Sequence, residues 1–216
     1  AGLPVAWTDD DRLDLDAYRQ DVESCCLAGV PGVYTGGTSG EFYAMDWEEF
    51  CQVARVTVET CRQHDVPSMI GCSSTYTRGA VRRAAFAAEI GADAVQLALP
   101  YWMELPADQV LPFFREVGQA AGDLAVSVYE TMRARLALTL EQHQAIKQVV
   151  PRYLMVKANA GTLGCTPDGC RALSKLVNVF VGESLWAELG PQGAQGCCSS
   201  MVYWNPELTL GFWKQV

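Results

Sequence analysis

The chain has 216 residues, half of them apolar and 19% charged, with a net charge of -9. That length accommodates one domain with a full core, and the apolar content excludes a disordered chain. The acidic balance argues against nucleic acid and anionic membrane surfaces as partners, and no apolar run reaches transmembrane length or forms a signal core.

Short β-like runs alternate with amphipathic stretches along the whole chain. Strands are expected at 3–7, 32–35, 68–72, 94–99, 124–129, 153–157, 178–181 and 196–201. Helices are expected near 16–28, 46–64, 78–90, 108–121, 140–148, 168–176 and 184–190, with an eighth opening at Asn205-Pro206, where proline suits a first helical turn. The helix at 46–64 has a clear start, because Asp46 can cap it and Glu48 and Glu49 favour the positive end of its dipole. Strict alternation implies a parallel sheet with right-handed crossovers, and eight such units close a (β/α)8 TIM barrel. An open doubly wound sheet competes, but the first strand runs into WTDDDRLD with no glycine fingerprint. The expectation is therefore a single (β/α)8 barrel domain over 1–216.

Nine cysteines invite a disulfide or metal reading until their spacing is considered. Cys25-Cys26 and Cys197-Cys198 are adjacent pairs, no CxxC occurs, and the two histidines, His64 and His143, lie far from either pair. An odd number of cysteines in apolar contexts reads as reduced, buried small hydrophobes, with a cytoplasmic location and no metal site.

Barrel chemistry gathers at the C-terminal ends of the strands, which turns those ends into a short set of candidates. The run Tyr153-Leu154-Met155-Val156-Lys157 ends in a lysine, and desolvation favours the neutral amine that attacks a carbonyl to form a Schiff base. Lys157 is otherwise simply the first exposed residue past a strand. Gly36-Gly37-Thr38-Ser39-Gly40-Glu41 follows the second strand; its glycines let several N–H groups converge and its hydroxyls add donors, which suits a small carboxylate. It lacks the endings of a Walker loop or a nucleophile elbow, and a plain βα turn is the bland alternative. Tyr129 ends the strand next to that of Lys157, where a phenol can shuttle protons, or where a tyrosine is ordinary core material. Of Arg133 and Arg135, one is a candidate to steer a second carboxylate; Tyr101 and Trp102 either line a pocket or form an interface patch. An anion nest, a tyrosine and a lysine at strand ends together fit Schiff-base chemistry on a 2-oxo acid.

These residues, in this order, resemble the dihydrodipicolinate synthase / N-acetylneuraminate lyase family of pyruvate-dependent class I aldolases. The resemblance rests on GTSGE at 37–41, the tyrosine of VYE, the lysine of VKAN, GAQG at 193–196 and the 28-residue step from Tyr129 to Lys157. It implies that Lys157 forms the Schiff base, that Tyr129 transfers protons around the imine, and that Thr38 and Ser39, in the nest with Gly37, bind the carboxylate. Gly196 and Cys197 would lie beside the bound 2-oxo acid. It further implies no cofactor, a small 2-oxo acid and an aldehyde as substrates, and a homo-oligomer, dimer or tetramer.

Three features depart from the family pattern. Trp102 stands where the loop after the fourth strand usually carries a second tyrosine; with PYW, TSGE and DWEEF, it leans towards the hydratase-aldolase branch that handles aryl-substituted pyruvates. Ala134 stands where the synthase has a substrate-binding arginine, with Arg133 and Arg135 on either side. The family's usual C-terminal helical extension is absent, so a fragment or a shortened paralogue is expected. The function so read is a Schiff-base-forming lyase of the aldolase type. The alternatives are a dehydratase or hydratase of a 2-oxo acid on the same site, and a non-catalytic paralogue that binds a small oxo acid.

Overall fold

Parallel strands and helices alternate through residues 1–215, which the computed structural model describes. In chain order the elements are α1 (Leu15–Leu27), β1 (Val33–Thr35), α2 (Trp47–Gln63), β2 (Ser68–Gly71), α3 (Thr77–Glu89), β3 (Ala94–Leu97), α4 (Val110–Ala121), β4 (Ala125–Tyr129), α5 (Leu140–Val149), β5 (Tyr153–Lys157), α6 (Pro167–Leu173), β6 (Asn178–Val181), α7 (Glu183–Leu189), β7 (Ala194–Cys197) and α8 (Pro206–Trp213). The local signals act as their chemistry dictates. Asp46 and Glu49 form a capping box on α2, Thr139 and Gln142 form another on α5, and Asn205 accepts from the Leu208 N–H to open α8.

The strands form one sheet of seven, ordered β1 to β7, with every neighbouring pair parallel. The expected first strand at 3–7 does not form. Gly2 instead makes a single parallel bridge with Tyr34. Tyr34 N–H donates to Ala1 O (2.6 Å), Leu3 N–H to Tyr34 O (3.0 Å), and Gly2 N–H to Ser199 O (2.9 Å). Residues 1–3 thus lace β1 to the chain just beyond β7, so the sheet curls until its two edges face each other across this segment. Pro4 explains why the ladder stops there, since it has no N–H to donate. The last strand also ends early, at Cys197 rather than 201, because Ser200 and Met201 give their N–H groups to Glu183 Oε1 instead of to a neighbour.

Between sheet and helices lies the main core, where Ile70, Val95, Val126, Val128, Val156 and Val179 meet Phe50, Phe113 and Ile146. The inner face of the ring is more polar. Gln96 and Ser127, both buried, are joined by an Nε2 to Oγ hydrogen bond of 3.0 Å.

One irregularity decides which way β5 points. The pairing runs from Val126 with Tyr153 straight to Ser127 with Met155, leaving Leu154 as an extra residue. Side chains alternate along a strand, so Tyr153 and Lys157, four apart, would otherwise share a face. The bulge breaks that parity. Tyr153 faces α5, where its hydroxyl meets His143 Nδ1 at 2.8 Å, while Lys157 faces the interior of the ring.

Candidate active site

β4 and β5 stay paired to their last residues, which register with each other: Tyr129 against Lys157. Registered neighbours on parallel strands project to the same side, so phenol and amine meet at the C-terminal mouth. Lys157 Nζ lies 4.4 Å from the centroid of the Tyr129 ring and 5.5 Å from that of Tyr34. No carboxylate of the described residues lies within ion-pair distance of this amine. A half-buried lysine resting on two aromatic faces, with no counter-ion, is not doing the ordinary work of a surface lysine.

Burial pushes the Tyr129 phenol up, but Lys157, Thr38, Asn159 and Arg133 together bring it below its ordinary value. Its hydroxyl lies 3.4 Å from Thr38 Oγ1, a long contact that joins β4 to the loop after β1 across the cavity. Tyr34, on the inner side of β1, has its phenol raised well above the usual range, chiefly by burial and then by Cys198, Tyr129 and Cys72. Two tyrosines at one mouth therefore differ: Tyr34 stays protonated, whereas Tyr129 is tuned towards giving up its proton.

The loop at 36–40 owes its shape to glycine. Gly36 adopts φ 69° and abuts Gly71, where a Cβ would come within 2.8 Å of the Gly71 carbonyl oxygen. A Cβ on Gly37 would lie 2.6 Å from the Tyr34 ring, so that ring seals the loop from beneath. Among the described residues, the N–H groups of Thr38 and Ser39 find no protein acceptor. Both residues line a cavity of about 90 Å³ together with Tyr34, Tyr129, Lys157 and Cys198. Its contents are an amine without a counter-ion, a phenol of lowered pKa, two hydroxyls and unpaired amides. Such a set can hold a small carboxylate next to a carbonyl carbon under nucleophilic attack.

The other residues singled out from the sequence lie elsewhere. Gly196 sits against Phe180, where a Cβ would come within 2.2 Å of the ring, so it makes room for an interior aromatic and does not line the cavity. Cys197 lines a separate cavity of about 590 Å³ bounded partly by α8; its neighbour Cys198 faces Lys157's cavity instead, since one step along a strand end reverses the side. Trp102 is 76% exposed and stands away from the cavity wall. Arg133 and Arg135 are exposed on the loop after β4; Arg133 is near enough to help lower the Tyr129 phenol, and Arg135 caps a turn with φ 60°.

Two carboxylates escaped notice as parts of the site. Glu183 Oε1 accepts from Ser199 Oγ (2.7 Å), Ser200 N–H (2.7 Å) and Met201 N–H (3.1 Å), so it shapes the loop that carries Cys198 and Ser199. Glu130 is only 3% exposed and bonds Leu138 N–H through Oε1 at 3.0 Å. The sequence marks each by its place, directly after a strand end, in VGE and VYE. No group of three or more metal-binding side chains occurs among the described residues.

The profile of the dihydrodipicolinate synthetase family matches residues 2–216. A trans-O-hydroxybenzylidenepyruvate hydratase-aldolase of Pseudomonas putida is 31% identical over 128 residues, 59% of this chain and 38% of that protein. A 4-hydroxy-tetrahydrodipicolinate synthase of Acidovorax is 29% identical over 177 residues, 81% of this chain and 58% of that protein. The chain thus spans less than two thirds of the length of either curated relative. The crystal structure of dihydrodipicolinate synthase from Aquifex aeolicus superposes with a TM-score of 0.89 at 20% identity, over all of this chain and 74% of that one, and shares its fold. The chain belongs to the dihydrodipicolinate synthetase family.

Proposed function

We propose that this member of the family is a Schiff-base-forming lyase of the aldolase type acting on pyruvate or a closely related 2-oxo acid. One observation carries the reading: the Lys157 amine stands without a counter-ion, 4.4 Å above the Tyr129 ring, in the cavity shared with Thr38 and Ser39. The amine attacks the ketone carbon, and loss of water leaves a protonated imine. The oxo acid's carboxylate takes the Thr38 and Ser39 hydroxyls and their free amides, which orients the methyl group towards the cavity mouth. The imine draws electrons from the adjacent carbon, so a proton leaves it and an enamine forms. Tyr129, lowered towards phenolate by Lys157 and Thr38, carries protons to and from the imine nitrogen and the leaving water. In the aldol direction the enamine carbon attacks an aldehyde; in the lyase direction the same bond breaks. Water then returns the oxo acid and frees the lysine.

The likeness to a hydratase-aldolase favours an aryl aldehyde as the second substrate, and it keeps hydration or dehydration of a 2-oxo acid as the alternative on the same machinery. Borohydride reduction in the presence of pyruvate, followed by intact mass and peptide mapping, tests the reading. A reduced pyruvyl adduct on Lys157 is expected. A folded protein that traps no adduct would overturn the lyase assignment and leave a binding protein.

A further inference from the structure

Behind the cavity, on the helix side of the sheet, lies a chain of polar groups that the proposed chemistry does not use. Glu130 directly follows Tyr129, and its own N–H donates to the Lys157 carbonyl oxygen at 2.9 Å. Its side chain turns away from the cavity and is buried. Oε1 accepts from Leu138 N–H at 3.0 Å, and Oε2 lies 3.4 Å from His143 Nε2. Neither Oε2 nor Nε2 makes a hydrogen bond in the described chain, so the two face each other as a close, buried polar pair. His143 is fully buried on α5, and its Nδ1 lies 2.8 Å from the Tyr153 hydroxyl at the start of β5. Burial, and then Glu130, keep that phenol far above its ordinary value, so Tyr153 keeps its proton. The hydroxyl and Nδ1 share one hydrogen bond, and the other ring nitrogen is left facing the Glu130 carboxyl.

A buried carboxylate is costly unless its partners are fixed, and a fixed set transmits position. Glu130 ties together three things. Through its backbone it holds the end of β5, and its side chain packs against His143 of α5. Through Leu138 it closes the loop of 131–138, which carries Arg133. Tyr129 and Lys157 emerge from the two strand ends so clamped.

We propose that Glu130, braced by His143 and Tyr153, is a positioning residue that fixes the Tyr129 phenol against the Lys157 amine and pins the loop after β4. Its catalytic consequence rests on the lyase reading above; its geometric consequence does not.

The test compares Glu130→Ala with Glu130→Gln, since the amide keeps an acceptor for Leu138 and a polar group of the same size facing the imidazole. Two readouts are taken: amide hydrogen exchange over 131–138, and deuterium incorporation into the pyruvate methyl group in heavy water, which needs no second substrate. Glu130→Ala should speed amide exchange over 131–138 by about tenfold or more. It should slow methyl exchange by about tenfold to a hundredfold while Lys157 still traps pyruvate. Glu130→Gln should stay within about threefold of wild type on both readouts. Unaltered amide exchange in Glu130→Ala overturns the proposal whether or not wild type traps pyruvate. Equal impairment of Ala and Gln variants also overturns it, because charge and not placement would then matter. Absence of an adduct in wild type sinks the lyase reading alone. Should Glu130→Ala fail to fold, Tyr153→Phe removes only the hydroxyl on His143. It is expected to speed exchange over the same residues by about threefold, and no change there overturns the proposal.

Discussion

The β4–β5 pair and the seam between β1 and β7 face the same cavity but are ordered by opposite means. β4 and β5 run in register to their final residues, Tyr129 and Lys157, with a buried polar chain behind them. At the seam there is no continuous ladder: one bridge at Gly2, a few backbone hydrogen bonds from residues 1–3, and the carboxylate of Glu183 gathering the loop at 199–201. The groups proposed to react sit on the first region. The loops proposed to grip and enclose the oxo acid sit on or beside the second. Covalent chemistry needs reacting atoms held to a fraction of an ångström, while entry and release of a substrate need a boundary that yields.

Substitutions that break one side of this contrast should differ in kind from those that break the other. Lys157→Ala is expected to lose turnover by about a thousandfold or more, with the borohydride adduct gone and the thermal midpoint unchanged or higher. Retained methyl exchange would refute the nucleophile. Tyr129→Phe should slow methyl exchange by about a hundredfold yet still allow the adduct to form on Lys157. Equal losses in trapping and exchange would assign the ring to packing.

On the seam side, Gly37→Ala pushes a methyl group into Tyr34, 2.6 Å away. The pyruvate concentration for half-maximal exchange should rise about threefold to tenfold, the equivalent of roughly 1 kcal/mol, with the maximal rate little changed. A fall in rate at constant half-saturation would instead tie the loop to the chemical step.

The smallest effect is read by pH. Burial pushes the Glu183 carboxyl up, but Ser199, and the amides of Met201 and Ser200, hold it below its ordinary value. A carboxylate lowered on folding adds stability above the ordinary glutamate range and loses it as pH falls through the folded value. Glu183→Gln should melt about 1–2 °C below wild type at neutral pH, since solvent screening of this half-exposed carboxylate leaves roughly 0.5 kcal/mol in a domain of this size. The gap should close as pH falls into the acid range. A gap that persists at low pH would mean that shape, not charge, holds the loop.

Much of the framework was legible from local chemistry. The end of an apolar run at Lys157, the phenol at Tyr129 and the glycines around Thr38 each carry a signal within a few residues, and all three meet in one cavity. What was hidden depends on separations that no local pattern records. Pro4 turned an apolar run at 3–7 into a short backbone lace. The choice between Cys197 and Cys198 hangs on where β7 stops, which Glu183 decides from the start of α7 through its hydrogen bonds to Ser199, Ser200 and Met201. Glu130 reads as a loop acid until His143, on the next helix, supplies its partner.

Leu154 governs more than its own contacts. It acts as a phase shift within β5, so the residues before it and the residues after it obey opposite inside–outside rules. A deletion of this one residue would leave every chemical group in the sequence and yet swap which of Tyr153 and Lys157 could occupy its proper side. Among relatives, the length of this strand is then as telling as the identity of its lysine, and a gap here would signal a different site even where the VKAN motif is intact.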